Sequence, residues 1–142
     1  MMWTIPHRPL WLRWALIAVG AGVFFWSGVE DDRVWLAVAL GVGCCGVWLA
    51  HWLTGAIGGR VLSGWQIAAA WAGFGGLTGG GGIFASVLLL AFKDARHAHP
   101  YPDSPADLLA ALLARMPVWG LSGALIGMGI YLVWRAHTPR LG

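Results

Sequence analysis

The sequence predicts an all-α integral membrane protein, with four transmembrane helices and a short amphipathic interfacial helix between the third and the fourth. Three observations lead there. Of 142 residues, 58% are hydrophobic and only 11% are charged, against about 25% charged in an ordinary soluble domain. A soluble chain of this size buries only about two thirds of its extended-chain surface and needs charge on the remainder, so this composition calls for lipid as solvent. The apolar residues also gather into four continuous runs, each long enough to cross about 30 Å of hydrocarbon as a helix. Continuous runs favour helices over a transmembrane barrel, whose strands alternate and take about ten residues each. Finally, most of the eleven tryptophans fall near the ends of these runs, where an amphipathic indole sits best at the lipid boundary. Trp11, Trp14, Trp26, Trp35, Trp48, Trp52, Trp65, Trp119 and Trp134 form this belt. A disordered chain, a disulfide scaffold and a secreted hydrolase are excluded. Residues 1–142 read as one transmembrane domain.

The first span is expected over residues 10–26. Arg8 and Arg13 ahead of an apolar stretch imitate a signal peptide, but no small-residue cleavage site follows, so the segment is read as a retained span. The second span is expected over residues 34–53. Its adjacent Cys44 and Cys45 are poorly placed for a mutual bridge and serve in lipid as small apolar residues. His51 lies near the end of this span beside Trp48 and Trp52. An axial histidine on a helix can ligate the metal of a haem or chlorophyll; the plainer reading is an interfacial hydrogen-bonding residue.

The third span, residues 65–92, is 28 residues long. At 1.5 Å per residue that is about 42 Å, so it must tilt, protrude or break. Its middle carries Gly73, Gly75 and Gly76 and then the run Gly79 to Gly82. Each glycine inside a helix costs about 1 kcal/mol relative to alanine, so the run needs a purpose. One purpose is an unwound segment whose carbonyls line an ion or substrate path. The other is close helix packing: Gly75 with Gly79 and Gly76 with Gly80 are small residues four apart. The fourth span, residues 118–134, repeats the theme with Gly123 and Gly127, and packing is the reading carried forward. The spacing of Gly80, Gly82 and Ala85 imitates a dinucleotide fingerprint, but it lies in an apolar span with no preceding strand and no following acid.

Between the third and fourth spans lies the most polar stretch, residues 93–117. Pro100 and Pro102 make its first part a turn-rich loop. Ser104 as N-cap, Pro105 at the first helical position, Asp107 in the first turn and Arg115 before Pro117 then bound a helix over residues 105–116. Leu108, Leu109, Leu112, Leu113 and Met116 fall on one stripe of it. At roughly 18 Å it is too short to span, so it is expected at the membrane surface, with the stripe against lipid or a partner. The preceding loop holds His97 and His99, with Asp94 and Asp103 nearby, a set that suits zinc or another divalent transition metal. A solvated headgroup-level loop is the alternative, because a structural zinc site takes four ligands and no cysteine is at hand.

Charge sorts unevenly between the two ends of a four-span chain. One end holds Arg8, Arg13, Arg60, Arg135 and Arg140 and no acid. The other holds Arg33, Lys93, Arg96 and Arg115 with all six acids. Basic residues decide orientation and acids count for little, so the expectation is cytoplasmic termini in a bacterial-type inner or plasma membrane.

No Asp, Glu, Lys or Arg falls deep within an expected span. Proton-coupled carriers, voltage sensors and carriers of charged substrates generally need such residues. Ser86 and Thr78 have no histidine or carboxylate at their depth, so the chain is not expected to be an enzyme. Nine basic residues scattered over the loops make no stripe for nucleic acid. The leading expectation is a noncatalytic membrane subunit. It acts by helix packing on other membrane subunits or on itself, with lipid as its surroundings and no cofactor expected. A small passive channel or transporter on the glycine-rich third helix is the first alternative. A metal or tetrapyrrole binder using His51 or His97 and His99 is the second.

Overall fold

The computed structural model describes residues 3–4, 8–29, 33–97 and 104–138. Its helices are α1 (Leu10–Ser27), α2 (Val34–Ile57), α3 (Gly64–His97), α4 (Ala106–Ala114) and α5 (Met116–His137). All but α4 are long and apolar enough to cross a membrane, as an all-α membrane protein requires. One small departure is a strand pair: Trp3–Thr4 (β1) runs antiparallel to Val61–Leu62 (β2), with Trp3 opposite Leu62. Two residues per strand leave no period to read in a sequence.

Helix starts agree with the sequence expectation more closely than helix ends. α2 continues to Ile57 instead of stopping at residue 53, and α3 to His97 instead of residue 92. Hydrocarbon thickness sets how long a span must be, whereas a helix stops only where the backbone is interrupted. For α2 that is Gly58 followed by Gly59, which takes φ of 81°; α3 is described as far as His97. α3 is helical throughout its 34 residues, with no unwound segment at the glycines. At about 51 Å it extends well beyond the hydrocarbon core.

The spans form a row in the order α1, α2, α3, α5, each packing chiefly on its neighbours in that row. Successive pairs run antiparallel: Gly22 lies by Leu40 and Arg8 by Gly55 between α1 and α2, while Gly46 lies by Thr78 and Gly82 by Val42 between α2 and α3. Between 11% and 33% of each span's most apolar window is buried, so most apolar surface faces outward, toward where lipid would lie.

Among the described residues the cluster of buried apolar side chains lies at one end. There Trp26, Ala37, Ile83, Val87, Leu90 and Leu112 are buried together under α4. Leu108, Leu109 and Met116 pack against this cluster, so α4 directs most of its leucine stripe into the protein. Leu113, 38% exposed, is the member of the stripe that points away.

Candidate functional site

Three places hold the candidate residues. The first is the seam between α3 and α5. A Cβ on Gly75 would collide with the carbonyl of Gly123, and a Cβ on Gly123 with the carbonyl of Gly75. One turn to either side, Gly79 meets the Trp119 carbonyl and Gly127 meets the Trp71 carbonyl in the same way. Backbone therefore rests on backbone over several turns, close enough for Cα–H donors to reach facing carbonyls. Gly76 and Gly80 stand beside this line of closest approach. A Cβ there would come no nearer than 3.4 Å to Ala124 and 3.5 Å to the Met116 carbonyl, respectively.

A second close approach, between α2 and α3, was not singled out in the sequence. A Cβ on Gly82 would lie 2.7 Å from Val42, and one on Gly41 would collide with Ser86. Ser86 is fully buried, and its hydroxyl donates to the Gly82 carbonyl at 2.7 Å, one turn back. The Cys45 thiol donates to the Leu77 carbonyl across the same interface at 3.5 Å. Thr54 donates to Ala50 at 2.8 Å within α2. These hydroxyls and the thiol are thus satisfied by helix carbonyls instead of being presented to a substrate. Thr78 Oγ1 and His51 Nδ1 differ: both are buried without a hydrogen-bond partner.

The third place is a polar clamp where α1 ends against the last turns of α3. Lys93 is 4% exposed, with its Nζ 5.0 Å from the centroid of the Trp26 ring. That is a cation–π arrangement. The Arg96 guanidinium donates to Ser27 Oγ at 2.9 Å and lies over the Phe24 ring. Ser27 Oγ in turn donates to the Phe24 carbonyl at 2.9 Å. His97 Nε2 lies 3.1 Å from the Ser27 carbonyl oxygen. A carbonyl can only accept, so Nε2 carries the proton and donates. That nitrogen is committed to holding α1, not to a metal, while the contact lasts. Asp94 Oδ2 accepts from the Ser104 backbone N–H at 3.2 Å and so ties the approach to α4 to α3, whereas its Oδ1 is buried without a partner. His99 and Asp103 lie outside the described residues, and among those described no three His, Cys, Asp or Glu side chains converge. Only the sequence neighbours of this cluster were legible. Its link to Ser27, far away in the chain, carries no local signal.

No family model, curated protein or solved structure matches the chain. The reading of function therefore rests on the chain's own geometry.

Proposed function

We propose that the chain is a noncatalytic integral membrane subunit that acts by helix packing, in a larger membrane complex or as a homo-oligomer. The observation that carries this reading is the place of α1. α3 has a helix on both sides, but α1 stands at the edge of the row on α2. It leaves Trp14, Ile17, Phe24 and Phe25 61–73% exposed. On the same helix Gly20 has no atom within 4 Å of where a Cβ would stand, so another backbone has room to approach. Gly75 and Gly79 of α3 and Gly123 and Gly127 of α5 are by contrast engaged with each other's helix. The Ser86 and Thr54 hydroxyls at membrane depth add support, because each already donates to a carbonyl of its own helix.

In this reading α4 lies at the membrane surface, with Leu113 toward lipid and Leu108, Leu109, Leu112 and Met116 inward. The termini are cytoplasmic and the membrane is a bacterial-type inner or plasma membrane. A photoactivatable residue placed at Ile17 should give a discrete polypeptide adduct in intact membranes. Adducts to lipid alone at that position count against the proposal.

One observation favours a second reading. His51 stands near the Trp48 and Trp52 belt with its Nδ1 buried and held by no partner, which leaves Nε2 as the nitrogen that would ligate a tetrapyrrole. Haem added to the purified chain would then give an absorbance band that His51→Ala abolishes.

A further inference from the structure

Where α3 begins and α5 ends, Gly64, Trp65, Ile67, Tyr131, Trp134 and Arg135 enclose a recess of about 240 Å³. Tyr131 is 5% exposed, and its hydroxyl donates to the Gly64 carbonyl at 3.1 Å, which holds the back of the recess in shape. Arg135, in the last turn of α5, is exposed and meets no carboxylate among the described residues. Trp65 stands 73% exposed at the same rim.

Trp134 also borders a second, apolar groove that follows α5 past Val133, Ile130, Gly129 and Ile126. This groove is open because Gly129 has no side chain and nothing within 4 Å of where one would begin. A cationic recess at the level of a tryptophan belt thus continues into an apolar groove at membrane depth. Arg8, Arg13 and Arg60 lie at this same end, whereas Asp94 and Asp107, the acids among the described residues, lie at the other. Contacts fix the shared end: Arg8 lies against Gly55, β1 against β2, and Tyr131 against Gly64.

We propose that recess and groove together bind one anionic phospholipid, with its phosphate against Arg135 and one acyl chain along Gly129. The surplus of arginine at this end supplies the charge complementarity. Trp65 and Trp134 sit at headgroup level, where indole rings are favoured. Free phosphate shares the headgroup chemistry but has no use for the groove.

The test is native mass spectrometry of the purified full chain in mild detergent. It is titrated with phosphatidylglycerol or with phosphatidylcholine of the same acyl chains. The wild type should retain phosphatidylglycerol preferentially. Arg135→Gln should lower that retention about five-fold, as loss of one arginine near an anionic headgroup implies. Arg135→Lys should keep most of it. Gly129→Leu, which fills the groove, should also lower retention, and Arg13→Gln, the same charge change at the same end, should leave it unchanged. Equal losses in Arg135→Gln and Arg13→Gln would overturn the proposal in favour of diffuse attraction. Displacement of the lipid by millimolar inorganic phosphate, together with a silent Gly129→Leu, would overturn it in favour of a free-anion site.

Discussion

At the scale of single residues, the position of a missing Cβ decides what each glycine does. Gly75 faces the Gly123 backbone, whereas Gly73, two residues earlier on the same helix, has nothing within 4 Å of a Cβ position. Gly75→Ala should therefore force α3 and α5 apart and cost about 1–3 kcal/mol, the usual range for overpacking. Gly73→Ala removes an unfavourable helix residue at no steric cost and should stabilise by up to about 1 kcal/mol. Thermal unfolding of the two variants in the same detergent checks the difference, and equal shifts contradict the seam. Four-residue spacing made Gly75, Gly79, Gly123 and Gly127 legible as candidates. It made Gly76 and Gly80 equally legible, because two adjacent small-residue rows differ only in the helix's rotation about its axis. Tertiary packing sets that rotation. The approach of Gly41 and Gly82 across the α2–α3 interface went unread for a related reason: Gly41 meets Ser86 and Gly82 meets Val42, with no repeat of small residues on both helices to mark it.

At the scale of elements, α4 is a lid over the core and α1 is held at its end by a clamp. The sequence carried the stripe of α4 but not its direction, since a leucine face is the same pattern whether it meets lipid, a partner or the protein itself. Leu112→Asp puts a carboxylate among Trp26, Ile83 and Val87. It should cost at least about 3 kcal/mol through lost burial and desolvation. Leu113→Asp, on the exposed side, should cost less than about 1 kcal/mol. Similar losses in both variants contradict the inward orientation.

The clamp yields a separate expectation. His97→Ala removes the donor to the Ser27 carbonyl and Arg96→Ala the donor to its hydroxyl, and each should cost about 1–2 kcal/mol, read as a lower melting temperature. Zinc should leave the melting temperature of the wild type unchanged. A zinc-dependent rise that His97→Ala removes would favour the metal reading instead.

At the scale of the whole molecule, the number of spans was legible because hydrocarbon thickness imposes a minimum apolar length, whereas the helix ends were not, because nothing in that thickness stops a helix. The row arrangement was not, because periodic apolar runs in lipid do not say which helix meets which. The proposed orientation rests on the basic residues, of which the sequence assigns five to the end bearing the termini and four to the other. In a variant lacking Cys44 and Cys45, a cysteine introduced at Ala111 on α4 should react with an impermeant thiol reagent only from the non-cytoplasmic side. Labelling only from the cytoplasm reverses the assignment.

The central claim is that this chain works by contact with other polypeptides in the membrane and not by turnover of its own. The exposed edge at α1 is where that contact is expected, and the engaged surfaces of α3 and α5 are where it is not. The most direct measurement is the mass of the particle released from its native membrane in mild detergent, read by native mass spectrometry with the lipid stripped in the gas phase. The expected particle holds at least one further polypeptide in fixed stoichiometry, a second copy of this chain or another subunit, and dissociates when Gly20 is replaced by leucine. A particle that is always the single chain, at every detergent concentration that keeps it folded, would rule out a role through such contact.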